Sequence, residues 1–463
     1  MSERLTDTVN VLVPVGALGT GVRGSDVAAG IALGAHAIAC DAGSTDSGPA
    51  YLATGTSKYA RDAIKTDLAI LMKAQADNGI PLLIGSCGTS GCDAALDWTH
   101  DIALELAREL GLQPRIALLY SEQQAALLEE MAQKGRVTPL PPLTRVEPGM
   151  FAACDRIVAL MGPEPFIAAL EAGADIVLGG RATDTAVIAA VPIMRGAGLG
   201  PAWHAGKIAE CGGQATVNPR DGGVLIRVGR SAFEIEPLSA DNACSPETVS
   251  AHMLYENSDP FRLIEPGGIL DVSAARYADI DGRVVAVSGS VFEPRPYTMK
   301  LEGAAGSGFQ TIMLVGIQDS RVLAAVDRFI AQMHHLLLGR VAAALGDRAG
   351  AFDISLRAYG WNAVSGKVIG PAMPPPREIG LLFVATAETQ EIATQIAKTC
   401  NPYFFHMPIE MNAELPSYAF PFSPAEIERG QVYEFRLNHV VAIDDPLALV
   451  RTERVDLGVL GGA

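Results

Sequence analysis

The sequence predicts an α/β protein with a parallel, doubly wound sheet, a β-rich second subdomain and a small C-terminal α+β module. Three observations support this prediction. Short apolar runs alternate with helical patterns from Val11 to about Gly180, as in a parallel sheet with crossover helices. Alternating Val, Ile, Tyr and Arg residues between Asn218 and Arg295 favour antiparallel strands. The proline-rich segment Pro371–Pro376 resembles a linker that precedes a last compact module.

The length and composition indicate a folded, multidomain chain. The 463 residues exceed the size at which one hydrophobic core stops growing. Apolar residues make up 49% and charged residues 19%, which is typical of globular proteins and unlike disordered ones. We therefore predict an α/β domain with Gly-rich turns at residues 1–215, a β-rich subdomain at 216–370 and a small α+β module at 377–463.

The first predicted domain contains six candidate strands, each bounded by a turn rich in glycine. The predicted strands are Val11–Val15, Ala37–Cys40, Pro81–Gly85, Arg115–Tyr120, Ile157–Leu160 and Asp175–Gly179. The helical patterns between them include Lys58–Asn78, Thr99–Gly111 and Pro165–Gly173.

The second half of the chain shows a different pattern of elements. Phe309–Ile317 has the pattern of a strand, and the helix that follows has an apolar face. That face comprises Val322, Val326, Phe329, Ile330, Met333 and Leu337. Beyond the prolines, Ile379–Ala385 is a predicted strand, Glu388–Lys398 a helix and Tyr433–Val441 a strand, which is a βαβ-like order.

The acidic balance of the chain limits its partners. Fifty-two acidic and 35 basic side chains give a net charge of −17, which repels nucleic acid and anionic lipid surfaces. We therefore expect neither nucleic acid nor a membrane as a partner. An anionic substrate has to be held locally, by backbone N–H groups and a few cationic side chains.

The cysteine pattern and the N-terminus favour the cytoplasm. Seven scattered cysteines do not resemble a secreted disulfide framework. Met1–Asn10 is polar and lacks the pattern of a signal peptide, and no apolar run reaches the length of a membrane span. We expect a cytoplasmic protein.

The first Gly-rich turn, Gly16–Gly21, follows a strand and precedes a helix, where free N–H groups favour an anion. Gly19, Thr20 and Gly21 are therefore candidate substrate-binding residues. Their spacing departs from the order G-x-G-x-x-G, so the pattern gives little support for a dinucleotide site. A tight turn with only a structural role is the alternative.

The segment Asp41–Pro49 places two carboxylates and three hydroxyls at the end of the second predicted strand. Open α/β sheets bind ligands at this edge. Asp46 is the candidate general acid or base, because Asp41 could simply cap a turn, and Ser44 and Thr45 are candidate substrate-binding residues. A helix-capping turn of these residues is the alternative interpretation.

The third strand is followed by a turn of small residues, Gly85–Cys92, which lets main-chain N–H groups approach an anion. Ser86 is a candidate catalytic residue, and Cys87, Gly88 and Thr89 are candidate substrate-binding residues. Ser86 or Cys87 could also act as a nucleophile, although no base is adjacent in sequence. The spacing of Cys87 and Cys92 does not fit a structural zinc site.

The turn Gly179–Asp184 again joins a strand to a helix and adds a fixed cation. Arg181 is the favoured clamp for a substrate anion, with Gly180 and Thr183 as further binding residues. Asp184 is a candidate for proton exchange, and an Arg181–Asp184 ion pair with a structural role is the alternative. Glu210 is a further candidate catalytic carboxylate of unknown burial.

The sequence identifies no cofactor or metal. The eight histidines, which include His204 and His252, show no spacing typical of a histidine-rich metal site. Carboxylate ligands of Mg²⁺ have no diagnostic spacing, so a Mg²⁺ site stays open.

Several motifs resemble those of the acyclic terpene utilisation (AtuA) family over about residues 10–320. The motifs are the turn after Val11–Val15, Gly85–Gly88, Gly173–Arg181 with Thr183 and Asp184, Glu210–Gly212 with Gln214, Met253–Glu256 with Asp259 and Pro260, and Arg295 with Pro296. The C-terminal segment is similar to the ferredoxin-fold module that accompanies this family, at Lys398–Pro402 and Tyr433–Leu447. The resemblance implies the family's fold and a role in catabolism of branched acids and thioesters.

These observations lead to a functional hypothesis with open alternatives. We expect a lyase or hydratase that acts on a small carboxylate or its CoA thioester, with Asp46 and Asp184 exchanging protons. An acyl-transfer or hydrolytic enzyme that uses Ser86 or Cys87 is one alternative, and a non-catalytic ligand-binding subunit of a catabolic complex is another. We also expect a homo-oligomer, with the C-terminal module as a candidate interface.

Overall fold

A computed structural model describes residues 4–367, 369, 373–407 and 418–460 of the chain. These residues form a mixed α/β protein with several sheets. The chain divides into two compact units. The first comprises Met1–Ala305 and Phe435–Ala463, and the second comprises Gly306–Glu434.

The elements of the chain up to residue 294 all belong to the first unit. In chain order they are β1 (Val9–Val13), α1 (Gly24–Ala32), β2 (Ala37–Asp41), α2 (Pro49–Thr54), α3 (Arg61–Asn78), β3 (Leu82–Gly85), α4 (Asp93–Leu110), β4 (Arg115–Tyr120), α5 (Ala125–Gln133), β5 (Val137–Pro139), β6 (Arg156–Ala159), α6 (Glu164–Glu171), β7 (Ile176–Gly179), α7 (Asp184–Met194), α8 (Leu199–Ala209), β8 (Val224–Val228), β9 (Ala232–Pro237), α9 (Pro246–Ala251), β10 (Arg262–Glu265), β11 (Gly268–Asp271), β12 (Arg276–Asp279), β13 (Val285–Ser288) and β14 (Val291–Pro294). The remaining elements are β15 (Thr298–Ile317), α10 (Ser320–Leu323), α11 (Val326–Leu345), β16 (Phe352–Tyr359), β17 (Ile379–Ala387), α12 (Gln390–His406), β18 (Tyr418–Ala419), β19 (Ile427–Ala442), β20 (Arg451–Asp456) and α13 (Leu457–Leu460).

The first unit is built on a ten-stranded sheet with the order β12-β13-β9-β8-β1-β2-β3-β7-β4-β20. The five strands β1, β2, β3, β7 and β4 run parallel to one another. Antiparallel strands extend this parallel core on both sides, β8 beside β1 and β20 beside β4. The carboxyl ends of the parallel strands therefore lie at one edge of the sheet.

The parallel strands are buried on both faces because their residues alternate between two apolar clusters. Val11 and Val13 of β1 pack in a cluster with α7 and α8, and Leu12 packs in a second cluster with α3 and α4. Such double burial explains why these strands appear in the sequence as nearly continuous apolar runs.

The predicted strands of the first region correspond to β1, β2, β3, β4, β6 and β7 within a few residues. One assignment was wrong, because β6 is not a strand of the parallel sheet. It pairs antiparallel with the first residues of β15, from Leu301 to Ala304. Periodicity identified a buried strand here, but it carries no information on which sheet the strand joins.

The antiparallel strands predicted between Asn218 and Arg295 are present. Strands β8, β9, β13 and β12 lie side by side in this order along one side of the large sheet, and each pairs antiparallel with the next. Strands β10, β11 and β14 form a separate three-stranded antiparallel sheet.

The second unit contains the strand order β16-β17-β15-β19 with helices α11 and α12. Its core includes the predicted apolar face of α11, where Val326, Phe329, Met333 and Leu337 are buried, and a contact between the rings of Phe383 and Phe404. The predicted linker Pro371–Pro376 lies partly outside the described residues. The domain ranges predicted from the sequence remain predictions.

In the described part of the chain, every helix is too short or too polar to span a bilayer.

Candidate functional site

Four predicted turns follow four neighbouring parallel strands, so they meet at one edge of the sheet. They follow β1, β2, β3 and β7, which are adjacent in this order. The turns also pack on one another: the Ser86 N–H donates to Gly180 O at 2.9 Å, and the Arg181 N–H donates to Gly91 O at 3.1 Å. The edge predicted from the sequence is therefore one continuous structure.

A cavity of about 540 Å³ opens at this edge. Its wall is formed by the first two turns, the loop between α2 and α3, the start of α7, and the loops after α8 and α9. The lining residues that bear chemical groups are Thr20, Arg23, Asp41, Ser44, Asp46, Ser47, Lys58, Tyr59, Asp184, Cys211, Gln214, Arg220, Tyr255 and Glu256.

The backbone N–H groups of the first turn are already occupied by a carboxylate of the protein. Asp67 of α3 is buried, and its Oδ2 accepts the N–H groups of Gly19 at 2.8 Å and Gly21 at 3.1 Å. Its Oδ1 accepts the N–H of Val22 at 2.7 Å. The turn does bind an anion, as its sequence suggests, but that anion is Asp67.

The second turn begins with Asp41, a buried carboxylate at the end of β2. Its Oδ2 accepts the Gly43 N–H at 2.9 Å, and its buried Oδ1 has no hydrogen-bond partner among the described residues. Asp46 is exposed instead, and its Oδ2 accepts the Ser44 hydroxyl at 2.6 Å. The geometry therefore favours Asp41 over Asp46 as the candidate acid or base of the cavity.

Asp41 and Asp184 form an interacting pair of carboxylates. Burial and the neighbouring Asp184 raise the pKa of Asp41 well above its usual value. Burial also raises the pKa of Asp184, and Arg181 and Lys207 oppose this shift only in part. Two such groups titrate together, so one of them holds a proton where the other is ionised.

The third turn lies beneath the cavity wall. Ser86, Cys87 and Thr89 are all fully buried. The Ser86 Oγ accepts from Arg181 Nη1 at 3.1 Å and is 3.3 Å from Ala182 O, and burial raises the pKa of the Cys87 thiol. Both groups lack the exposed, ionisable setting that a nucleophile needs.

Arg181 lies in a buried ion-pair network. Its Nε donates to Glu302 Oε2 at 3.1 Å, and both side chains are 7% exposed. A weaker contact of 3.5 Å joins its Nη1 to Asp184 Oδ1. Thr45 also donates to Glu302 Oε2, at 2.8 Å. These contacts favour the alternative in which Arg181 pairs with carboxylates of the protein, chiefly with Glu302.

A second buried group of charges adjoins the cavity. Lys207 of α8 donates to Glu210 Oε1, and Thr185 donates to Glu210 Oε2 at 3.2 Å. Burial raises the pKa of Glu210 to about 8 and that of Glu265 to about 7, although Lys207 lowers both. This region holds more acidic than basic side chains.

Two cations on the cavity wall have no ion-pair partner among the described residues. Lys58 and Arg220 both line the cavity and are exposed. The backbone N–H of Lys58 donates to Thr89 Oγ1 at 2.9 Å, which links the third turn to the wall. On a protein with a net charge of −17, these two exposed cations make the electrostatic potential of the cavity wall locally more positive.

The cavity therefore includes some of the predicted site residues and omits others. Thr20, Gly21, Ser44, Asp46 and Asp184 line it. The predicted residues that do not line it are Gly19, Thr45, Ser86, Cys87, Gly88, Thr89, Gly180, Arg181, Thr183 and Glu210. Thr183 caps α7 by accepting the Ala186 N–H at 3.2 Å.

Sequence reasoning missed several residues of the site. They are Lys58, Tyr59, Cys211, Arg220, Tyr255 and Glu256. Cys211 and the Tyr255–Glu256 pair lie in motifs that support the family resemblance, which was a usable signal. Lys58 and Arg220 lie in loops where a single cation has no sequence signature.

The fold and the cavity define an α/β protein with a carboxylate-rich site at the carboxyl edge of its parallel strands. The chain belongs to the acyclic terpene utilisation family: the family described as "Acyclic terpene utilisation family protein AtuA" matches residues 39–432. This membership implies a role in the catabolism of acyclic terpenes. Comparisons with curated proteins and with solved structures gave no match.

Proposed function

We propose that this protein is a catabolic lyase or hydratase that acts on a small carboxylate or its CoA thioester. The supporting observation is a cavity that joins an interacting carboxylate pair, Asp41 and Asp184, to two exposed cations, Lys58 and Arg220. The carboxylates supply proton transfer and the cations attract the substrate anion.

The carboxylate pair suits acid/base chemistry because its members differ in environment. Asp41 is 5% exposed, and the side chain of Asp184 is 31% exposed. The more buried Asp41 holds a proton more tightly and is the general acid in our proposal, while Asp184 is the base. Positioned acids and bases of this kind typically contribute about 10²–10⁴-fold to a rate.

A hydratase or lyase needs this pair of roles. In hydration of a double bond conjugated to a carbonyl, the base takes a proton from water, and the resulting hydroxide adds to the far carbon. The acid then delivers a proton to the carbon next to the carbonyl. Elimination runs the same steps in reverse, so one site serves both directions.

Two alternatives receive less support. Ser86 and Cys87 are buried beneath the wall, which disfavours an acyl-transfer or hydrolytic enzyme that uses them. A ligand-binding subunit without catalysis needs the cations of the cavity but not its carboxylate pair. Retention of ligand binding without any turnover would favour that class.

Deuterium exchange tests the proposal without knowledge of the full reaction. The protein is incubated in D₂O with short branched acyl-CoA thioesters and their free acids, and exchange at the carbon next to the carbonyl is followed by NMR. We expect exchange with the wild type, and a loss of about 10²-fold or more in Asp184→Asn and Asp41→Asn.

Three further variants complete the experiment. Asp46→Asn separates our assignment from the alternative in which Asp46 is the acid or base. Asp62→Asn, at an exposed carboxylate of α3, is the matched control. Full exchange in an Asp41→Asn/Asp184→Asn double variant would refute the proposal.

We also propose two more detailed assignments of the fold, a doubly wound core and a ferredoxin-like arrangement. Helices on both faces of the parallel strands support a doubly wound core. The order β15-α11-β16-β17-α12-β19 supports a ferredoxin-like arrangement, which would begin before the module predicted at residues 377–463. We also propose a homo-oligomer, which light scattering on the purified protein tests.

A further inference from the structure

We propose that Glu210, Cys211 and His252 form a binding site for a divalent transition metal ion of the zinc class. One ligand atom from each side chain lies within 4.8 Å of those of the other two. The inference rests on this geometry and is independent of the proposed acid/base function.

The three side chains come together through two chain segments that are distant in sequence. Glu210 and Cys211 follow directly on α8, and His252 follows directly on α9 and begins a short 3₁₀ helix. Adjacent ligands followed by a third one about 40 residues later match no recognised metal motif. This explains why the spacing of the histidines gave no indication of the site.

His252 supplies a second, independent observation. Its side chain is buried, with 5% of the residue exposed, and its Nε2 has no hydrogen-bond partner among the described residues. A buried polar atom without a partner destabilises the fold, because it has lost its hydrogen bonds to water. Imidazole is the commonest metal ligand in proteins, and coordination would satisfy the ring nitrogen.

The chemistry of the three ligands selects the class of metal. A thiolate is a soft ligand, which favours zinc, cobalt and related ions over Mg²⁺ or Ca²⁺. Three protein ligands with one open position form the pattern of a catalytic zinc site. Because Cys211 also lines the cavity at the sheet edge, an ion bound here would lie beside the space proposed for the substrate.

The surrounding charges favour a cation overall, with one competitor. Asp184 and Glu265 interact electrostatically with Glu210, and Glu256 interacts with Cys211. Lys207 is the competitor, because its Nζ donates to Glu210 Oε1. Each carboxylate oxygen has a second lone pair, so Glu210 can keep its contacts with Lys207 and Thr185 and still bind a metal.

The site needs a small adjustment to close on an ion. Zinc bonds of about 2.0–2.3 Å in a tetrahedral arrangement bring ligand atoms to roughly 3.3–3.8 Å from one another. The upper distance of 4.8 Å then requires side chains to move by about 1 Å. Rotation about the side-chain bonds of Glu210 and Cys211 provides such a shift.

Titration of the chelator-treated full-length protein with Co²⁺ alone tests the proposal. We expect one Co²⁺ per chain with a near-ultraviolet thiolate-to-cobalt charge-transfer band. Cys211→Ser should abolish the band, and His252→Ala should weaken binding by at least about tenfold. Cys154→Ser is the matched control, because Cys154 is also partly buried and lies outside the cluster.

One further variant is expected to strengthen Co²⁺ binding, an effect that misfolding cannot produce. Lys207→Met removes the competing ammonium and should tighten Co²⁺ binding by at least about tenfold. No charge-transfer band in the wild type at saturating Co²⁺ overturns the proposal. Equal affinity in wild type and Cys211→Ser also overturns it and indicates adventitious surface binding.

Discussion

Arg181→Lys distinguishes a structural role of this residue from the substrate-clamp role that its sequence context suggests. The substitution keeps the positive charge but replaces a planar guanidinium by a single ammonium. In the structure, the Nε of Arg181 donates to Glu302, and its Nη1 donates to Ser86 Oγ and Ala182 O. The single ammonium group of a lysine cannot donate to Glu302 and also to Ser86 and Ala182.

The contacts set the expected magnitude. Hydrogen bonds to charged groups are worth about 1.5–3 kcal/mol each, and a buried group left without its partner adds to the loss. Arg181 and Glu302 are each 7% exposed, so water cannot replace the lost bonds. We expect Arg181→Lys to lower the free energy of unfolding of the first unit by about 2–4 kcal/mol.

Urea unfolding followed by tryptophan fluorescence measures this change. Trp98 and Trp203 belong to the first unit and Trp361 to the second, so a Trp361→Phe background makes the signal specific. Arg220→Lys, at an exposed cation of the cavity, is the control and should change stability by less than about 0.5 kcal/mol. An unchanged unfolding midpoint for Arg181→Lys, together with a tenfold or greater loss of affinity for a substrate found by deuterium exchange, would refute the reasoning.

Three further predictions concern stability. Asp67→Asn should lower the free energy of unfolding, measured in urea, by about 2–4 kcal/mol. The reason is that an amide cannot accept all three N–H groups that Asp67 accepts from Gly19, Gly21 and Val22. A decrease of less than about 1 kcal/mol would contradict this prediction. Gly91→Ala should destabilise the protein by at least about 2 kcal/mol more than Gly79→Ala. The two glycines have nearly the same φ angle, +64° and +62°, so the backbone strain is matched. Only the methyl group added at Gly91 would clash with a backbone atom, Arg181 N at 2.3 Å. Burial raises the pKa of Glu265 from 4.5 to about 7, so its contribution to stability is complete below pH 4.5 and is lost as the pH rises through 7. Glu265→Gln should therefore flatten the fall in stability over this range, measured by urea unfolding at several pH values, and an identical slope in wild type and variant would count against the raised pKa.

The sequence predicted the parallel strands and their turns well because local patterns determine them. Buried strands such as β3 appear as apolar runs, and Gly-rich turns mark their carboxyl ends. The sheet to which a strand belongs was harder to predict, because the pairing of β6 with β15 joins residues about 145 positions apart. The cavity residues Lys58 and Arg220 were missed for a related reason: only the folded chain brings loops from different regions together.

The predicted anion sites show how an acidic protein satisfies its own donors. The N–H groups of the first turn bind Asp67, and the guanidinium of Arg181 binds Glu302, so both sites that the sequence assigned to a substrate hold carboxylates of the chain. Such internal pairs stabilise tight turns at the sheet edge and fix the position of the cavity wall. The positive charge that remains for a substrate lies on Lys58 and Arg220, whose long side chains are exposed at the wall. Attraction of an anion to an exposed pair of cations weakens as the ionic strength rises, whereas salt screens buried ion pairs much less. Substrate affinity should therefore fall as salt is added, while the stability of the sheet edge changes little.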